Sequence, residues 1–218
     1  MKRRDLILGA VASGATGVIG SAYAAQNVKC VIVGDAMVGK TWALSSFARN
    51  TLPASYVPTV VSDPLSIDVT LLGQPLHVSL WDTSGDEGYA RLRPVAYAQT
   101  DVFIVAYAVD SMTSIDNVQS RWAPEIRAYY SGARIVLAGL KADLRAGRSS
   151  STVSKEAAKS IAAHLALQAY GECSARTQVG LDDLFANALG IATNNATVPP
   201  GSLQRSPMGR QPIRRPGN

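Results

Sequence analysis

The amino-acid sequence predicts an α/β fold: a three-layer sandwich around a six-stranded, mostly parallel sheet with one antiparallel edge hairpin strand. Three observations predict it. Val102–Val109 is a continuous apolar run, as in a strand covered on both faces, and Arg134–Leu140 reads as another buried strand. Helical spacings separate the strand-like runs along the chain, the pattern that winds a parallel sheet between two helical layers. Leu65–Leu71 instead alternates, apolar at 65, 67, 69 and 71, so one of its faces is polar.

In order, Val28–Val33 is a short β-rich run that ends at Gly34, and a helical stretch follows to about Asn50. Leu76, Val78 and Leu80 alternate after a Leu-Gly-Gln-Pro turn, which pairs them with 65–71 as a hairpin at the sheet edge. Ile115, Val118, Trp122 and Ile126 lie on one helical face, with a kink expected at Pro124. Ser154–Tyr170 reads as an Ala-rich helix with Thr152 or Ser154 as cap. Glu172–Ala175 reads as a short strand, and Leu181–Ala192 as a helix with Leu181, Leu184, Phe185 and Leu189 on one face. Three segments result: 1–24, a signal or anchor; 25–196, the folded domain; and 197–218, a disordered basic tail.

Of the 218 residues, 47% are hydrophobic and 17% charged, which supports a packed core and excludes wholesale disorder. Two cysteines, Cys30 and Cys173, exclude a disulfide framework and an all-Cys metal site. His77 and His164 lie far apart without an HExxH pattern, which argues against a zinc enzyme. The net charge of +5 comes from the ends, since residues 1–24 carry +2 and residues 199–218 carry +4. The body is near neutral, so no nucleic-acid partner is expected. A monomer is expected, and the basic ends would add only weak attraction to a membrane surface, about 1 kcal/mol per Arg at most.

The N-terminus has a basic start, an apolar Gly/Ala-rich run and an Ala22-Tyr23-Ala24 cleavage pattern, the parts of an export signal. The Arg3-Arg4 pair before Asp5-Leu6-Ile7 is similar to a twin-arginine signal. A working signal makes the protein exported or membrane-associated. The other readings are an uncleaved anchor and a frayed N-terminal helix on a cytoplasmic protein.

Gly34-Asp35-Ala36-Met37-Val38-Gly39-Lys40-Thr41 matches GxxxxGK[ST], between a strand and a helix. In such a P-loop the glycines let backbone N–H groups surround a phosphate. The Lys balances the β/γ charge, and the Thr hydroxyl is a ligand for Mg²⁺. Asp82 in Trp81-Asp82-Thr83-Ser84-Gly85 ends the third strand, where it could hold Mg²⁺ through water, and the Gly85 N–H could reach a terminal phosphate. Leu140-Lys141-Ala142-Asp143 follows the fifth strand, and an Asp carboxylate there accepts from N1–H and the 2-amino group of guanine, a pair that adenine lacks. Cys173-Ser174-Ala175 follows the sixth, and its backbone can meet the guanine O6.

With these motifs the chain resembles the Ras-superfamily small GTPases, and most closely the Rho/Rac branch, over about residues 27–193. The Rho-like stretches are Tyr56–Val60, Trp81-Asp82-Thr83, Arg91-Leu92-Arg93-Pro94, Gln99–Phe103, Arg121–Glu125 and Glu172–Ala175. The resemblance implies a P-loop NTPase sandwich and a GTP/GDP switch with Mg²⁺, working with regulatory and effector proteins. It implies nucleotide contacts from Asp35, Ala36, Met37, Val38, Gly39, Lys40, Thr41, Trp42, Tyr56, Thr59, Gly85, Lys141, Asp143, Leu144, Ser174, Ala175 and Arg176. Tyr56 would be an aromatic lid. Thr59 would close on Mg²⁺ beside Thr41 and Asp82, and catalysis would involve Lys40, Thr59, Gly85 and Asp86.

Several positions depart from the family pattern. Ala36 stands where a Gly is usual, and Asp86 where a Gln orients the attacking water. Leu140 replaces an Asn or Thr that ties the base to the P-loop, and Leu52 matches the aromatic that packs on guanine. The inserted helix of eukaryotic Rho proteins and a lipid-accepting Cys are missing, and Val60–Pro64 differs from the Rho effector segment. Slow hydrolysis and fast nucleotide release are therefore expected. The alternative is a non-hydrolysing GTP-bound module or degenerate scaffold. A kinase or ATPase is disfavoured by Asp143 and Ser174-Ala175.

Overall fold

A first strand, β1 (Gln26–Gly34), shows how the sandwich is made. Its side chains alternate between two cores: Val28, Cys30 and Ile32 pack in one, and Val31 and Val33 in the other. The structure, a computed structural model, describes residues 24–53, 63–146, 152–195 and 197–206. Residues 1–23 of the signal segment, Tyr56, Thr59 and tail residues 207–218 lie outside the described residues.

The chain continues through α1 (Lys40–Arg49), β2 (Leu65–Leu71), β3 (Gln74–Asp82), α2 (Arg93–Tyr97), β4 (Val102–Ala108) and α3 (Met112–Asn117). After a π turn at Val118–Trp122 come α4 (Ala123–Tyr129), β5 (Ile135–Leu140), α5 (Lys155–His164), β6 (Ala169–Glu172), α6 (Leu181–Ala192) and β7 (Leu203–Arg205). The sheet order is β6-β5-β4-β1-β3-β2-β7. The pairings β1 with β3 and β4, β4 with β5, and β5 with β6 are parallel, and β2 is antiparallel to both neighbours. The α1 and α6 helices cover one face, and the π turn, α4 and α5 the other. β4 is buried throughout and feeds both cores, as its unbroken apolar run requires.

The sequence predicts six strands with β2 at the edge, and the sheet has seven. Val69, Thr70 and Leu71 pair with Arg205, Gln204 and Leu203, so β7 covers part of that edge, within the segment expected to be a disordered tail. Three residues are too few for alternation to show, yet Leu203 is buried and Arg205 is anchored. Arg205 donates to the carbonyls of Ser46 and Phe47 at 3.2 and 3.1 Å and pairs with Asp182 at 3.0 Å.

Three boundaries also differ. Pro124 has no N–H to give the carbonyl one turn earlier, and the helix widens into the π turn there, with Ala123 N–H donating to Val118 O. α5 stops at His164 because Ala166 turns left-handed at φ 47° and Leu167 N–H returns to Ala162 O at 2.8 Å. The next strand therefore starts at Ala169 and ends at Glu172, ahead of the expected 172–175. Ser154 is the α5 cap, its Oγ accepting from Ala157 N–H.

Candidate functional site

Parallel pairing puts the carboxyl ends of β1, β3, β5 and β6 on one side of the sheet, and the four motifs follow those ends. β1 ends at Gly34, where φ is +145° and a Cβ would lie 2.2 Å from Ala106 O, so only glycine fits. The loop then curls back, with Met37 at φ 63° and Gly39 at φ 108°, into the first turn of α1. Lys40 Nζ donates to the carbonyls of Gly34 and Asp35, both at 2.8 Å, which holds the ammonium inside the loop. Burial pushes Lys40 down to about 8, against the pull of Asp82 and Asp35.

The Asp35 side chain turns away from the loop. It accepts from Trp122 Nε1–H at 2.8 Å and from Asn117 Nδ2–H at 2.7 Å, which pins the loop to the π-turn layer. Arg93 packs over the Trp122 ring at 4.8 Å, binds Glu125 at 2.9 and 3.1 Å, and donates to the carbonyls of Ser84 and Asp86 at 2.9 and 3.0 Å. Tyr97 also donates to Glu125, at 2.6 Å. Arg93 thus fixes the backbone on both sides of Gly85. A Cβ on Gly85 would lie 2.2 Å from Ala36 N, so the two loops touch at a point only glycine permits. Asp86 Oδ1 accepts from Gly88 N–H at 2.7 Å and caps the 3₁₀ turn Glu87–Tyr89. Glu87 is exposed and pairs with Arg121 at 3.3 Å.

Thr41 Oγ1 donates to Asp82 Oδ2 at 2.5 Å. Two hard oxygen donors beside a lysine that can meet phosphate suit Mg²⁺. At the other end, Ser174 Oγ donates to Asp143 Oδ1 at 2.6 Å. Arg145 and Glu172 join the 3₁₀ turn Ala142–Arg145 to the end of β6, with Nε to Oε2 at 2.8 Å. Leu140 packs towards the P-loop, since a Cβ on Gly39 would lie 3.9 Å from its side chain.

A cavity of about 430 Å³ joins the two ends. Ala36, Met37, Gly39, Lys40, Thr41, Trp42, Gly85, Asp86, Lys141, Asp143, Leu144, Ala175 and Arg176 line it. Asp35, Val38, Asp82, Ser174 and Leu52 are not part of the lining. Leu140 lines it too, as do Ala43, Thr83, Ser84 and Tyr89, which no sequence reading assigns to the site. Thr83 and Ser84 were legible inside the Trp81–Gly85 motif, whereas nothing in the sequence marks Tyr89.

A mostly parallel sheet whose first strand runs through a GxxxxGK[ST] loop into a helix, with Asp143 at the far end of the same cavity, defines a P-loop nucleotide-binding fold. Residues 29–193 match the Ras family, and the chain belongs to that family. It is a small GTP-binding protein of the switch type.

Proposed function

We propose that this protein is a Rho-like switch that binds GTP and GDP with Mg²⁺ and hydrolyses GTP slowly. The observation that carries the reading is one cavity with Lys40 and Thr41 at one end and Asp143, oriented by Ser174, at the other. Lys40 would sit against the β/γ-phosphates, with the loop N–H groups around them. Asp143 would accept from guanine N1–H and the 2-amino group. Ser174 N–H is bonded to Val179 O at 3.0 Å, so the O6 contact falls to Ala175. Thr41 and Asp82 would hold Mg²⁺, with Thr59 completing the set on closure. Bound there, the ion would neutralise charge on the phosphate oxygens.

In hydrolysis, water attacks the terminal phosphorus and the P–O bond to the β-phosphate breaks, giving GDP and phosphate. The Gly85 N–H would meet the terminal phosphate, and Arg93 would hold that loop in place. Asp86 supports the slow rate, because its carboxylate caps Gly88 N–H and is a methylene shorter than a glutamine side chain. The same contact favours the second reading, a GTP-bound module that does not hydrolyse. Glu87 is engaged with Arg121 outside the cavity lining, which counts against it as a substitute for the missing glutamine. The Rho-like character is supported by the meeting of two Rho-like stretches, Arg91–Pro94 and Arg121–Glu125, in the Arg93–Trp122–Glu125 cluster. Single-turnover hydrolysis of GTP by the full chain tests the reading: slow phosphate release supports it, and no release on a scale of days favours the module.

A further inference from the structure

We propose that Trp42 supplies the aromatic face against the ribose and purine of the bound nucleotide, in place of the aromatic missing at Leu52. The inference rests on the nucleotide reading above and assigns its affinity to a residue of this chain. Trp42 stands in the first turn of α1 and is among the residues that line the cavity, whereas Leu52 is not.

The helix face decides which end of the cavity Trp42 serves. Residues 42, 46 and 50 succeed one another at four-residue spacing, so they share one stripe of α1 and its C-cap. Ser46 Oγ donates to Ala175 O at 2.9 Å, and Gln178 Nε2 donates to Asn50 Oδ1. That stripe therefore faces the loop after β6, on the base side. Trp42 is one turn closer to the phosphates than Ser46, which places it between the two ends, where a ribose lies. Helix side chains lean towards the helix N-terminus, and this carries the ring further over the cavity.

The ring is available for that contact. Trp42 is 38% exposed, although it is a large apolar residue beside a cavity. Among the described residues it stacks on no other ring, and its indole N–H has no partner. An aromatic plane against a purine or sugar is favourable for any base, so Trp42 adds affinity while Asp143 sets the choice of guanine.

Release of tritiated GDP from the full chain tests the proposal. Trp42→Ala is expected to release GDP roughly tenfold faster, Trp42→Leu to behave like Trp42→Ala, and Trp42→Phe to stay within about threefold of the parent. Parental release by Trp42→Ala, or by Trp42→Leu, overturns the proposal. A nuclear Overhauser contact between the indole protons and the ribose H1′ of GDP in the unmodified complex is a second readout that needs no variant, and its absence also overturns the proposal. A chain that binds no GDP overturns the nucleotide reading as well. A chain that binds GDP and releases it at one rate with or without Trp42 overturns this inference alone.

Discussion

Burial disfavours the charged form of Lys40 and lowers it to about 8 from its ordinary 10.5. The sign follows from linkage. Burying the charged form opposes folding in full below about 8, and that opposition fades as the pH rises towards 10.5. A phosphate reverses the preference by favouring the ammonium. At pH 8.5 GDP binding should therefore take up roughly three-quarters of a proton, and at pH 6.5 almost none from this residue. Calorimetry in two buffers of different ionisation enthalpy measures it, and equal uptake at both pH values would count against Lys40 as the phosphate ligand. Asp86 and Ala36 share the neighbourhood of Gly85. Asp86→Gln with Ala36→Gly should raise single-turnover hydrolysis on the order of a hundredfold, and by more than the two single changes combined. Additive or null effects would mean that water positioning is not what limits the rate. At this scale the sequence motifs named Lys40, Thr41 and Asp143, and the fold brings all three to one cavity. The diversion of Asp86 into a cap and of Asp35 towards Trp122 was hidden, because both depend on contacts made after folding.

Elements that combine a long periodic pattern with a clear stop were legible: β2 and α6 fall at the residues the pattern names. β7 was not. Its Leu-Gln-Arg lies among Pro, Gly and Ser, and it becomes a strand only because β2 offers unpaired backbone groups and Arg205 finds the end of α1. Arg205→Ala removes charged donors from two carbonyls and the pairing with Asp182. It should cost about 1–3 kcal/mol, seen as a lower urea midpoint at unchanged slope. Gln204→Ala, at an exposed position of the same strand, should leave the midpoint nearly unchanged. Equal loss from both would mean that strand pairing, not the Arg205 anchor, holds the segment. The π turn teaches a related lesson: Pro124 signalled a break, but the sequence could not say that it would aim Trp122 at Asp35.

At the scale of the whole molecule, one sheet order explains why motifs up to about 140 residues apart meet. β3 and β4 flank β1 and β5 follows β4, all parallel, so the loop after β1, the end of β3 with Asp82 and the loop after β5 open on one side. The cavity is continuous from Lys40 to Asp143, and its choice of ligand decides what the protein does. The direct measurement is equilibrium binding of GDP and ADP to the full chain in Mg²⁺, repeated with Asp143→Asn and xanthosine diphosphate. A site built to hydrogen-bond the guanine edge should prefer GDP by about a thousandfold or more, and Asp143→Asn should move the preference to the xanthine nucleotide. Equal affinity for GDP and ADP in the unmodified chain would contradict the account.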